Sequence, residues 1–114
     1  MDDIRFQLVT LARRSKARKI GLFEKGMPSK WKPHSVVNPE SGEVFTDAGA
    51  WDFVASLLEN GHPIEEIILD KPPGKKAYVL IVEIKTTSRN LYIKIQLGSG
   101  VIWGRSFHYS EYDK

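Results

Sequence analysis

The sequence predicts an α+β fold in which two helices pack on a mainly antiparallel sheet of four to five strands. Three observations favour this class. Apolar residues recur at helical spacing in two segments, and the last third of the chain holds strand-like runs joined by short turns. The length of 114 residues is typical of one domain, so residues 1–114 are expected to form a single unit.

The first helix is expected from about residue 3 to residue 19. Ile4, Leu8 and Leu11 lie at helical spacing, and Asp2 or Asp3 suits the N-cap. Residues 21–45 then read as a loop rich in glycine and proline, with a short hairpin around VVNPESGEVF.

The second helix begins after Thr46 or Asp47, either of which suits an N-cap, and ends at Gly61. Its apolar stripe should lie against the sheet. The stripe consists of Trp51, Val54, Ala55, Leu57 and Leu58.

The second half of the chain predicts a meander of strands. Residues 67–69 form a short strand, 71–76 a basic loop, and 77–84 a strand apolar enough to be covered on both faces. Residues 91–97 alternate strictly between apolar and polar side chains, as in a half-buried strand. Turns at 87–90 and 98–100 lead into and out of it, and VIWGRSFHYS is the last strand.

Composition narrows the function classes. The absence of cysteine excludes disulfides, thiolate metal sites and a cysteine nucleophile, and predicts a cytoplasmic protein. No apolar run approaches the ~20 residues of a membrane span. His34, His62 and His108 have no metal-ligand spacing, and residues 71–76 lack the rest of a phosphate-binding loop. We therefore expect no metal, no cofactor and no membrane partner.

A basic block lies between Arg13 and Lys32, where eight basic residues accompany one acid, Glu24. Such a block can follow a phosphate backbone. It equally fits a solvated helix face followed by a charged loop.

The register of the last hairpin decides which polar side chains meet. With a two-residue turn, Lys94 lies opposite Arg105; with a three-residue loop, Tyr92, Lys94, Ser106 and His108 share one face. A bulge at Gly104 would mix the two registers.

These residue types suit cleavage of an RNA phosphodiester. Histidine exchanges a proton near neutral pH, so His108 fits an acid or base, while Arg105 and Lys94 fit stabilisation of a phosphorane. Tyr92 and Tyr109 can stack on bases or donate a hydrogen bond. Polar residues are also ordinary occupants of an exposed sheet face, and this reading stays open.

The motifs Tyr92-Ile93-Lys94-Ile95 and Ser106-Phe107-His108 resemble those of small RNase toxins of bacterial toxin–antitoxin modules, the RelE superfamily and especially its MqsR branch. The resemblance covers roughly the last 50 residues. His108 stands where that branch has lysine, and Lys71 resembles a further functional lysine. The resemblance implies a compact antiparallel sheet packed against N-terminal helices, and it implies RNA cleavage without a metal.

The sequence thus predicts an endoribonuclease toxin that acts on RNA, either free or as mRNA on the ribosome, and is neutralised by a cognate antitoxin. The expected catalytic residues are His108, Arg105, Lys94 and Tyr92. The expected substrate-binding residues are Lys71, Lys75, Lys76, Ser106 and Tyr109. The alternatives are a non-catalytic module that binds RNA or protein through the same face, and an immunity-type partner protein.

Overall fold

The computed structural model describes residues 2–20, 30–69, 76–84, 90–98 and 100–110. In these ranges it has two α-helices and one mixed sheet of six strands, which confirms the α+β class. The helices are α1 (Asp2–Ala12) and α2 (Asp47–Glu59). The strands are β1 (Arg18–Ile20), β2 (Lys30–Trp31), β3 (Glu65–Ile68), β4 (Lys76–Glu83), β5 (Asn90–Leu97) and β6 (Ile102–Tyr109).

The sheet combines a meander with two short parallel strands. Its order is β1-β6-β5-β4-β3, and the four strands from β3 to β6 pair antiparallel in sequence, as predicted. The additional strands β1 and β2 both pair parallel with β6, β1 along residues 102–104 and β2 along residues 106–107. The sheet therefore has more strands than predicted, because two segments of the basic block join its edge.

The helix predicted to reach residue 19 is wrong beyond Ala12. A 3₁₀ turn follows at Ser15–Ala17, and the chain then becomes β1. The reason is visible in the sequence, since the apolar stripe of α1 stops at Ala12 and the next turn has only polar and small side chains. The Arg18 guanidinium donates to the Ala12 carbonyl at 3.4 Å, which places a cation at the negative end of α1.

Helix α2 follows the prediction closely. The Thr46 hydroxyl accepts from the Gly49 N–H at 2.9 Å, the hydrogen bond of an N-cap. The predicted stripe faces the sheet, with Leu58 fully buried and Leu57 half-buried. Beneath it the Trp51 ring stacks on Trp31 of β2 at 4.7 Å between ring centroids.

The predicted hairpin around residues 36–45 is also present. Val37 and Val44 form an antiparallel bridge, and the Asn38 N–H donates to the Glu43 carbonyl at 2.8 Å. The Val37 N–H donates to the Tyr109 hydroxyl at 3.2 Å, so the hairpin is tied to the end of β6.

The two faces of the sheet differ. One face carries both helices and the core, including Leu80 of β4 and Ile93 of β5. We call the opposite face the outer face; it is defined by Tyr92, Lys94 and Gln96 of β5 with Trp103, Ser106 and His108 of β6. Ile81 of β4 also lies there and is 51% exposed, so the expectation that this strand is covered on both faces is wrong at Ile81.

Neither of the two helices in the described ranges has the length and apolar character required to cross a membrane.

Candidate functional site

The last hairpin changes register in its middle. Near the turn, the Gly98 N–H donates to the Val101 carbonyl at 2.8 Å and Gln96 lies opposite Trp103, as the two-residue turn predicts. A bulge then shifts the pairing between Lys94 and Ile95. Beyond it Lys94 faces Ser106 and Tyr92 faces His108. These partners differ from both predicted registers, but the four side chains share one face as the three-residue loop predicts, and the shift lies next to Gly104, where the sequence allows a bulge.

Arg105 is the extra residue of this bulge. Its Nη1 donates to Gln96 Oε1 at 3.0 Å, which places the guanidinium on the outer face beside Lys94. The residue is only 3% exposed, and this burial lowers the pKa of Arg105. The bulge therefore brings Arg105, His108, Lys94 and Tyr92 to one face, whereas an unbroken ladder would have separated Arg105 from His108.

Close packing on the helix-bearing face requires a glycine next to the bulge. The Trp31 ring lies directly over Gly104, and a Cβ built on Gly104 would sit 2.7 Å from Trp31 Cδ2 and Cε3. Only a residue without a Cβ allows Trp31 of β2 to lie this close to the backbone of β6. The same pairing sets Lys30 beside Ser106, so the glycine also positions Lys30 on the outer face.

Lys94 is a half-buried cation among other cations. Burial is the largest cause that lowers the pKa of Lys94, and the charges of Arg105 and Lys30 lower it further. A phosphate group placed beside these cations would favour their charged forms. Lys94, Arg105 and Lys30 thus make this part of the outer face suitable for a phosphate group.

His108 and Tyr92 form the neighbouring part of the site. Their rings lie 5.6 Å apart between centroids. His108 Nδ1 lies 2.7 Å from the Tyr109 carbonyl, which can only accept, so Nδ1 carries the proton and Nε2 is the nitrogen that can take up another. Burial raises the pKa of the Tyr92 phenol, and the Glu65 charge raises it further, so Tyr92 is a neutral hydrogen-bond donor at pH 7.

A groove of about 240 Å³ continues the outer face towards β3. It borders Tyr92, because Ile81 of its lining lies opposite Tyr92 in the sheet. The lining residues are His62, Pro63, Ile64, Glu65, Val79 and Ile81.

The predicted substrate-binding residues are divided. Ser106 lies on the outer face opposite Lys94. Lys76 is on the side of Tyr78, the helix-bearing face, with Nζ 3.5 Å from Glu66 Oε2. Tyr109 packs against the core and holds the 36–45 hairpin. Lys71 and Lys75 lie outside the described residues, as do residues 87–89 and 99 of the two predicted turns.

The residues of the basic block lie in two parts of the structure, beside the helices and at the edge of the sheet. Arg13 is an exposed residue of the helix layer, with Nη2 2.8 Å from Glu59 Oε1, and this hydrogen bond raises the pKa of Arg13. Lys19 and Lys30 instead lie at the outer-face edge, beside Trp103 and Ser106 of β6. The sequence includes both lysines in a block that can follow a phosphate backbone, but it does not predict the short strands that bring them to β6, because strands of two or three residues carry no readable periodicity.

Within the ranges that the structure describes, no three histidine or acidic side chains are grouped so that they could hold a metal ion. No protein-family model matches the chain, and searches of curated proteins and of solved structures found no match either.

Proposed function

We propose that this protein is a metal-independent endoribonuclease that cleaves RNA by acid–base chemistry. The observation that carries the proposal is the grouping of His108, Tyr92, Lys94 and the bulged Arg105 on one face of the sheet. The imidazole supplies a base, and the two cations and the neutral phenol stabilise the charge that forms on the phosphorane.

The reaction is an attack of the RNA 2′-oxygen on the adjacent phosphorus. His108 Nε2 takes the 2′-hydroxyl proton as the O2′–P bond forms, and the bond from phosphorus to the 5′-oxygen then breaks. The leaving 5′-oxygen takes up a proton from solvent and His108 later releases its own, so the products are a 2′,3′-cyclic phosphate and a 5′-hydroxyl. Lys94 and Arg105 balance the charge that accumulates on the phosphorane, and Tyr92 donates a hydrogen bond to it.

In the cell, we propose that this activity makes the protein a toxin whose antitoxin covers the outer face. The resemblance of the Tyr92–Ile95 and Ser106–His108 motifs to RelE-superfamily toxins supports this role. The cationic face supports it as well, because an acidic antitoxin segment would satisfy the same charges that bind RNA.

A cleavage assay with labelled RNA and EDTA tests the enzymatic proposal. His108→Gln should lower the rate at least ~10²-fold, since general acid–base catalysis contributes ~10²–10⁴. His34→Gln is the matched control, because His34 is exposed beside Asp47 at the start of α2, away from the outer face. The products of the wild type should end in 2′,3′-cyclic phosphates.

Cleavage that survives His108→Gln, or is equally lowered by His34→Gln, would contradict the assignment. A wild-type protein that binds RNA but cuts none, on translating ribosomes as well as free, would be a binding module instead. Expression in bacteria tests the toxin role, since growth arrest should occur with the wild type and disappear with His108→Gln.

A further inference from the structure

Trp103 is a large aromatic side chain on the outer face, and it differs from the other two tryptophans of the chain. Trp31 and Trp51 are 8% and 3% exposed and stack on each other in the core. Trp103 is half-buried, lies opposite Gln96, and is two residues from Arg105. The accessible surface of the Trp103 ring can therefore contact a ligand that binds at the neighbouring cations.

The Trp103 ring is supported on one side by the hairpin turn. A Cβ built on Gly98 would lie 3.0 Å from Trp103 Nε1 and 3.3 Å from Cδ1. The indole therefore packs against bare backbone at Gly98, and the turn restricts its rotamers. A ring held in this way loses little conformational entropy when a second flat group stacks on it.

Cations flank this ring along the edge of the sheet. Lys19 pairs with Trp103 in the parallel ladder, and Lys30 pairs with Ser106 further along β6; both lysines are exposed. Gln96, opposite Trp103, is four residues from Tyr92, a distance of ~13 Å along a strand. Trp103 thus lies beside the proposed cleavage site and outside it.

We propose that Trp103 is a stacking platform for an unpaired RNA base next to the cleaved phosphate, and that Lys19 and Lys30 hold the backbone leading to it. The location of the cleaved phosphate rests on the proposed function; the stacking itself does not. Aromatic rings that alternate with cations are how proteins hold single strands, since every base has a flat face and duplex bases are already stacked. The substrate class is therefore single-stranded RNA.

Binding measured in the His108→Gln background tests stacking separately from cleavage. A short single-stranded RNA should quench tryptophan fluorescence, because Trp103 is accessible whereas Trp31 and Trp51 are buried. Trp103→Leu should weaken binding at least ~5-fold, in keeping with the usual value of one base–aromatic stack. Trp103→Phe keeps a ring and should bind within about 2-fold of the parent while losing the quench.

The choice of RNA separates a stacking contact from a structural one. On oligonucleotides that carry an abasic residue at each position in turn, one position should abolish the difference between the parent and Trp103→Leu. Equal weakening of every oligonucleotide by Trp103→Leu, including all abasic ones, would overturn the proposal. So would a duplex RNA bound as tightly as the single strand.

The salt dependence of binding tests the two lysines. Lys19→Gln and Lys30→Gln should each make the negative slope of log K against log salt shallower by ~0.7, the value for one phosphate contact on a single strand. Arg13→Gln is the matched control, because Arg13 is occupied by Glu59 in the helix layer, and its slope should equal that of the parent. An unchanged slope in both lysine variants would remove the backbone path. Stacking without any cleavage by the wild type would refute the proposed enzyme and leave this inference standing.

Discussion

Replacing Gly104 by alanine tests how the sheet positions its cations. The φ angle of Gly104 lies outside the left-handed region, unlike those of Gly42, Gly61 and Gly100, so alanine meets no backbone strain there. The effect is steric, because the new Cβ would lie 2.7 Å from two carbon atoms of the Trp31 ring. That ring is held by Trp51 at 4.7 Å and Phe107 at 5.2 Å between centroids, so it has little freedom to move away.

The expected loss of stability is the difference between two effects. Overpacking a well-filled core costs ~1–3 kcal/mol, and contact with a rigid ring belongs to the upper half of that range. Removing a glycine from the unfolded chain returns ~0.4–1 kcal/mol. We therefore expect Gly104→Ala to lower the free energy of unfolding by about 1–2.5 kcal/mol.

Urea unfolding of Gly104→Ala, Trp31→Leu and the double variant measures this loss. Trp31→Leu should recover part of the loss caused by Gly104→Ala, with a coupling energy of at least ~0.5 kcal/mol in the double-mutant cycle. Gly98→Ala is the control in the same hairpin, because its Cβ would meet Val101 and Trp103 and not the Trp31 ring. Its coupling to Trp31→Leu should therefore be close to zero. A coupling energy of zero for Gly104→Ala, or an equal coupling for Gly98→Ala, would refute the packing argument.

Two further predictions follow from burial and charge. Leu58→Ala should cost ~2–5 kcal/mol in chemical denaturation, and Leu57→Ala less, because Leu58 is fully buried and Leu57 half-buried; the reverse order would mean that α2 is rotated. Lys94→Met should raise the free energy of unfolding at pH 7, because burial and the charges of Arg105 and Lys30 disfavour the charged lysine in the folded protein and lower its pKa below the ordinary 10.5. The same variant should abolish cleavage, because it removes one of the proposed catalytic cations. Between the folded and the unfolded pKa of Lys94, the unfolded chain binds more protons than the folded one. The free energy of unfolding of the wild type should therefore rise relative to that of Lys94→Met as the pH approaches 10.5. A stability difference between wild type and Lys94→Met that does not change with pH would contradict this.

The grouping of Arg105, Lys94 and Lys30 has the character of a site maintained at the expense of stability. A half-buried lysine beside two other cations is disfavoured by desolvation and by repulsion. Binding of an anionic ligand reverses both effects, so RNA should raise the melting temperature of the wild type more than that of Lys94→Met.

Much of this architecture could be predicted from local patterns. Alternation in residues 91–97 is a property of a strand with one buried face, and it places Tyr92 and Lys94 together whatever the rest of the fold does. The stripe and N-cap of α2 likewise depend on residues within a few turns of each other. The order of strands β3 to β6 follows from their short connections.

Tertiary structure alone decided the remaining features. The strands β1 and β2 are three and two residues long, so they exist because the edge of β6 offers them hydrogen bonds, and their own sequence shows no strand period. The bulge that joins Arg105 to His108 lies next to Gly104, and the ring that requires a glycine there belongs to Trp31, 73 positions earlier. The sequence allowed a bulge at Gly104 and placed Lys19 and Lys30 in a basic block. Only the folded chain decided that Arg105 shares a face with His108 and that both lysines reach β6. Contacts between residues so distant in sequence leave no local signal.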